Sequence, residues 1–223
     1  MLPMLTQKLA EDGYALLAGL MPDVSTEVAA ASLGDVLTLP GTTRVQVLRP
    51  RDKADAPPNI YSGQFGKSEF PMHTDLAHWY VPPRYFVLRC VVGAPDVATR
   101  LLDGRGVMER FGIANLYRTL LQPRRPSDGR RPLLRVLNRT HVGEPQLRWD
   151  SLFVQPATES SSKIFHAVSE FIDAQLETQI YLTNPGDTLV IDNWRMLHGR
   201  SAVPPTAGAR HIERAYMRSL AAD

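Results

Sequence analysis

Along this chain, apolar and polar residues alternate with a period of two over several short stretches and at helical spacing over only a few. TRVQVLRP at residues 43–50 alternates as a half-buried strand does. RYFVLRCVV at 84–92, entered through Pro82-Pro83, is a β-branched and aromatic run that predicts a further strand. Two shorter strands are expected in PLLRVLNR (132–139) and PQLRWDSLFV (145–154). The last third returns to strands: TQIYLTN, a turn at Asn184-Pro185-Gly186-Asp187, then TLVIDNW and RHIERAYM.

Helical spacing is expected over residues 3–11, and again from a cap at Asp23 or Ser25 to about Leu33. It is expected also over 104–121, with Val107, Met108, Phe111, Leu116 and Leu120 as its apolar stripe. A last helix, capped by Ser160–Ser162, carries Ile164, Phe165, Val168, Phe171, Ile172 and Leu176 on one side. Residues 51–60 read as a polar, Pro-rich connection. Many short strands with a few covering helices predict a mainly β fold with flanking helices. The expected form is a double-sheet jelly roll, a cupin-like double-stranded β-helix with a pocket between its sheets.

A length of 223 residues suits one domain, with residues 1–60 as N-terminal helices and strand and 104–180 as an insertion with covering helices. No stretch reaches the roughly 18 apolar residues of a membrane helix, and the first residues lack the basic-then-apolar order of a secretory signal. The single Cys90 excludes an internal disulfide and a cysteine-rich metal site, and fits a reducing cytoplasm. With a net charge of only +2, the basic residues are nevertheless uneven. Arg118, Arg124, Arg125, Arg130, Arg131, Arg135 and Arg139 crowd one Pro- and Gly-rich stretch, read as a solvated loop or as a docking patch for an anion. The stretch lacks the aromatics of a nucleic-acid platform, so no nucleic-acid partner is expected.

The chemistry concentrates in His73-Thr74-Asp75 and, far downstream, His198 and Arg210. From composition, about 0.6 His-x-acid triplets would arise by chance, so the triplet alone says little. If it is extended, however, positions i and i+2 point to one face. His198 follows a strand and a turn and can approach from a neighbouring strand. Two His and one carboxylate bind iron(II) and leave positions open for other ligands. His78 is read as a pocket-wall residue; His141 and His166 are read as structural, and His211 as facing away from Arg210. Alternation in RHIERAYM puts Arg210, Ile212, Arg214 and Tyr216 on one face. Inward arginines require acids, either internal ones such as Asp192 or Asp103 or a carboxylate of a bound molecule. Ser62, Gln64, Trp79, Arg148 and Asp150 are candidate cavity contacts, Arg148 and Asp150 being expected on one face of a strand or paired with each other. Trp194 is expected in the core, and Asn193 as a brace for the turn before His198.

FPMHTDLAHWYVPPRYFVLR, VATRLLD, LRWDSLFVQP, GDTLVIDNWRMLHGRSAV and RHIERAYM together resemble the iron(II)/2-oxoglutarate-dependent dioxygenases of the taurine dioxygenase, γ-butyrobetaine hydroxylase and clavaminate synthase group. The resemblance covers about residues 60–104 and 180–217. It implies that His73, Asp75 and His198 ligate Fe(II), and that Arg210 and Thr99 hold 2-oxoglutarate, although Asp96-Val97-Ala98 replaces the glycines usual before that Thr. It implies a substrate contact at Arg214. The implied reaction consumes 2-oxoglutarate and O2, yields succinate and carbon dioxide, and hydroxylates an unactivated C–H bond. Its substrate would be a small anionic or zwitterionic molecule such as an amino acid or natural-product intermediate. Asp75 argues against halogenation. A carrier-tethered substrate and a non-catalytic acid-binding jelly roll remain as alternatives.

Overall fold

The computed structural model describes residues 2–126, 129–140 and 143–221; His141 lies outside them. The chain begins with α1 (Leu2–Asp12), turns at Gly13 into β1 (Tyr14–Leu17), and forms α2 (Thr26–Ala31). Of the two expected caps, Ser25 is the one used, its hydroxyl accepting from the Val28 N–H. Then come β2 (Gly34–Val36), β3 (Val45–Leu48), the short α3 (Tyr61–Phe65) and β4 (Phe70–His73). Strands β5 (Tyr85–Val92) and β6 (Ala98–Asp103) lead into α4 (Arg105–Phe111) and α5 (Ile113–Arg118).

The single helix expected over 104–121 is thus two. Gly112 adopts φ 78°, which ends one and starts the other, and from Leu120 the chain extends as β7 (Leu120–Pro123). The next two expected strands are also divided. β8 (Leu134–Arg135) pairs with β7, whereas β9 (Leu137–Arg139) pairs with β10 (Pro145–Leu147). β11 (Val154–Pro156) returns to β7, so Arg148 and Asp150 lie between strands rather than on one.

α6 (Glu159–Asp173) is capped by Thr158, which accepts from the Ser161 N–H; Ser161 itself accepts from the Leu120 N–H. The expected Ser160–Ser162 cap is therefore displaced to the preceding threonine. The chain closes with β12 (Thr178–Tyr181), β13 (Thr188–Asp192), β14 (Met196–Arg200) and β15 (His211–Leu220).

Every strand pair is antiparallel. One sheet runs β1-β13-β5-β15-β2, with β3 also on β15; the second runs β12-β6-β14-β4. Alternation sorts the side chains of these strands into three layers. Phe86, Leu88 and Cys90 of β5, Leu101 of β6, Met196 of β14 and Ile212 and Tyr216 of β15 form a core shared by the two sheets. Val87, Val190, Ala215 and Met217 face the other way and pack against Leu5, Leu9, Ala29 and Ala30 of α1 and α2. Met72 and Leu197, next to the two key histidines, face a third core with Trp149, Phe165, Val168 and Ile172 from the insertion. Helices therefore cover the outer faces, and the inter-sheet space is left for chemistry.

Candidate metal centre and cavity

His198 and His73 are direct partners across β14 and β4. Their ring centroids lie 4.3 Å apart. Gly199 allows this approach, since a Cβ there would meet the Phe70 carbonyl at 2.7 Å. β4 ends at His73, so Asp75 sits in the turn beyond it and not on an extended strand as the i, i+2 argument supposed. Its position is set by tertiary contacts instead. The Asp75 N–H donates to Asn193 Oδ1 at 2.7 Å, and Asn193 Nδ2 donates to the carbonyls of Asp75 and Pro83, each at 3.0 Å. Asn193 is fully buried and thus braces the loop carrying Asp75. Thr74, between the two candidate ligands, points elsewhere, exchanging hydrogen bonds with the backbone of Trp149.

His73, Asp75 and His198 are all buried and could hold a metal ion, with one donor atom from each lying within 4.8 Å of the others. Asp75 Oδ1 is 3.7 Å from His73 Nε2 and 3.6 Å from His198 Nε2. Asp75 Oδ2 is already engaged, accepting from Arg214 Nη1 at 2.7 Å and from the Tyr216 hydroxyl at 2.9 Å. His73 Nδ1 donates to the Pro71 carbonyl at 2.9 Å, which in the neutral ring leaves the lone pair on Nε2. Two imidazole nitrogens and one carboxylate oxygen therefore converge while the other oxygen and the His73 Nδ1 are occupied. This donor set suits iron(II).

The electrostatics agree. Burial alone would raise the Asp75 carboxyl, but Arg214 and the imidazoles of His198 and His73 outweigh it and hold the group well below the ordinary range. Burial, reinforced by His73, pushes the His198 imidazole down to about 4 despite the attraction of Asp75. His198 is accordingly neutral and able to ligate at physiological pH.

A cavity of about 440 Å³ opens on this cluster, lined among others by Thr99, Arg200, Arg210, Arg214, Tyr61, Ser62, His78 and Asp150. Arg210, Ile212, Arg214 and Tyr216 all line it, as the alternation of RHIERAYM predicts. Asp192 pairs with Arg84, and Asp103 with Arg105 and Arg195, so neither serves the inward arginines. Arg214 serves Asp75, with Gln46 accepting from its Nη2 at 2.7 Å and its Nε at 3.2 Å. Arg210 is buried with its Nε unpartnered, and among the described residues no carboxylate pairs with it. Burial brings its guanidinium down to about 10.

Three of the candidate contacts lie elsewhere. Gln64 is exposed and donates to the Pro58 carbonyl. Trp79 lines a separate depression with Pro82, Pro83 and Trp194. Trp194 is half-buried there, its indole N–H donating to the Pro82 carbonyl, so it is not the core residue expected. Arg148 is buried away from the cavity, its guanidinium donating to the carbonyls of Arg135, Trp79 and Tyr80; it forms no ion pair with Asp150. His166 is exposed on α6, and His211 faces Arg49 and Glu213. Gln46, Tyr61 and Arg200 are cavity residues that the sequence did not single out. Gln46 was legible only as one inward position of a strand, whereas Tyr61, which stacks on His73 at 4.0 Å, and Arg200 gave no signal.

The model of the family described as "Taurine catabolism dioxygenase TauD, TfdA family" matches residues 2–216. The chain belongs to this family. It is 38% identical over 71 residues to γ-butyrobetaine dioxygenase of Homo sapiens, covering 30% of this chain and 18% of that protein. It is 28% identical over 185 residues to γ-butyrobetaine dioxygenase of Pseudomonas sp. (strain AK-1), covering 75% and 47%. The chain thus spans less than half the length of the curated relatives it matches. Asparagine oxygenase in complex with Fe(II), 3-hydroxyasparagine and succinate shares its fold with a TM-score of 0.69 at 18% identity, over 97% of this chain and 77% of that one. The oxygenase OrfP with Fe and α-ketoglutaric acid gives 0.69 at 18%, over 95% and 76%.

Proposed function

We propose that this protein is an iron(II)/2-oxoglutarate-dependent dioxygenase that hydroxylates an unactivated C–H bond of a small carboxylate-bearing molecule, an amino acid or a natural-product intermediate. The observation that carries this reading is the division of labour in Asp75. One oxygen is taken by Arg214 and Tyr216, while the other lies within 3.7 Å of two imidazole nitrogens.

In this reading His73, Asp75 and His198 hold the iron, and Arg210 with Thr99 holds the far carboxylate of 2-oxoglutarate. Support comes from the burial of both residues in the wall of the same cavity and from the lack, among the described residues, of an acid paired with Arg210. Iron and 2-oxoglutarate held by these residues would supply oxidation by dioxygen, one oxygen atom going to the succinate formed with carbon dioxide from the keto acid and the other to the substrate. The chain orients the substrate, and the surrounding Phe86, Tyr61 and Leu88 keep bulk water away from the reacting centre. We read the two sheets with their shared core as a double-stranded β-helix and the chain as one dioxygenase domain. The lone, buried Cys90 supports a reducing, cytoplasmic setting. The arginines of the cavity favour an anionic or zwitterionic substrate.

Anaerobic titration of the folded protein with Fe(II) and 2-oxoglutarate is expected to raise a weak visible charge-transfer band. His73→Ala or Asp75→Ala should abolish it. Its absence in correctly folded wild-type protein would overturn the proposal. Succinate release across a panel of amino acids and tethered intermediates then identifies the substrate.

A further inference from the structure

The cavity is lined by several arginines and by one acid that no arginine or lysine pairs with among the described residues. Arg49, Arg51, Arg210 and Arg214 come from β3, β15 and the chain flanking them, and Arg200 from β14 is held by the carbonyls of Gly66 and Ser68. Asp150 lines the same cavity. This carboxylate is 2% exposed and has no cationic partner among the described residues. Its Oδ1 accepts from the N–H groups of Leu152 at 2.8 Å and Phe153 at 2.9 Å, and burial lifts its carboxyl above the ordinary range against the pull of His73 and the Tyr61 hydroxyl, so that a cation beside it is what it lacks.

The buried Tyr61 hydroxyl lies within reach of Asp150 as a donor, which keeps its lone pairs free, and His78 Nδ1 is buried with no hydrogen-bond partner among the described residues. Phe153 ties the group together, its ring 5.3 Å from that of Tyr61 and 6.2 Å from that of His78. Burial and the neighbouring Arg148 keep His78 neutral, so its Nδ1 can offer a lone pair. Arg148 itself is committed to three backbone carbonyls and does not line the cavity. Three potential acceptors, of which one is a carboxyl group without a cationic partner, match the three N–H donors of a primary ammonium. A quaternary ammonium has no N–H to give and instead seeks several open aromatic faces. One face of Tyr61 is already covered by His73, stacked at 4.0 Å.

We propose that Asp150, Tyr61 and His78 form a primary-ammonium subsite, so that the substrate is an amino acid carrying a free amine. This rests on the reading of the cavity as a dioxygenase substrate pocket and names the class of molecule it takes.

The test compares matched pairs: straight-chain ω-amino acids from β-alanine to 6-aminohexanoate, and α-amino acids, each against its N-trimethyl counterpart. Binding to the protein with Fe(II) and 2-oxoglutarate under anaerobic conditions is followed by calorimetry and by perturbation of the charge-transfer band. At least one amine should bind about tenfold or more tightly than its trimethyl partner, the worth of a charge-assisted hydrogen bond. Asp150→Asn keeps the Oδ1 acceptor for the turn and should remove about tenfold of that preference; Tyr61→Phe should lower it by a smaller factor. No amine outbinding its trimethyl partner would overturn the proposal, as would an undiminished preference in both variants. A charge-transfer band that forms but responds to no amine removes this subsite and leaves the dioxygenase reading standing. A missing band removes that reading, and calorimetry on the same protein still decides the subsite.

Discussion

Replacing Arg214 by Met should destabilise the metal-free protein far more than the metal-loaded one. The Arg214 guanidinium is the only cationic side chain hydrogen-bonded to Asp75 among the described residues, at 2.7 Å, and Asp75 is 5% exposed. Met keeps the aliphatic stem but leaves a buried carboxylate with only the Tyr216 hydroxyl and two neutral imidazoles around it among the described residues. Breaking a buried pair in this way typically costs about 3 kcal/mol or more, because the remaining charge is uncompensated. At this chain length that corresponds to a fall in Tm of roughly 6–12 °C. A divalent cation on the three ligands restores a counter-charge to the same carboxylate, so the loss should shrink to about 1 kcal/mol when metal is saturating.

By linkage, the difference between the two losses equals a gain in the folded protein's affinity for the metal, about 2 kcal/mol or some thirtyfold. Thermal melts in EDTA and in saturating Zn(II), with wild type alongside, read both numbers. Equal losses in the two conditions would refute the reasoning and make Arg214 a scaffold residue indifferent to Asp75.

Arg210→Ala is expected to raise the 2-oxoglutarate concentration needed to form the charge-transfer band while leaving Fe(II) affinity unchanged; an equal loss of iron affinity would show the residue to be structural. His198, held near 4, takes up its proton in the unfolded chain near 6.5 but not in the folded protein. The unfolded state therefore binds more protons between these values, and stability should decline as pH falls from 6.5 towards 4, by about 3 kcal/mol at most. Urea denaturation in EDTA should show this slope, and a His198→Gln variant that retained it would refute the assignment. Asn193→Ala removes three buried hydrogen bonds, two of them to the Asp75 backbone, and should cost about 2–4 kcal/mol and weaken iron binding as well. An unchanged iron affinity would show that Asp75 needs no such brace.

Local pattern set the strands and the identity of the candidate ligands. RYFVLRCVV and TLVIDNW became central strands because β-branched and aromatic residues on both faces can be buried on both sides of a sheet. RHIERAYM carried its alternation into the cavity wall because period two is a local property of an extended backbone. His73, Asp75, His198 and Arg210 were legible as residue types at suggestive places. What brought them together was not local. Asp75 leaves the strand and is held by Asn193, 118 residues away in sequence, and its free oxygen is chosen by Arg214 and Tyr216. The division of the 104–121 helix depended on Gly112 at positive φ and on β7 finding partners in β8 and β11.

Arg148 shows the same limit from the other side. Its charge suggested a ligand contact, but three carbonyls from distant segments claim the guanidinium, and only the folded chain brings them within reach. The sequence by itself determined the strand faces and the donor atoms, because alternation and side-chain chemistry are properties of neighbours along the chain. Tertiary structure alone decided which donors were left free for a ligand, because a buried polar group is committed or available only through partners that folding supplies.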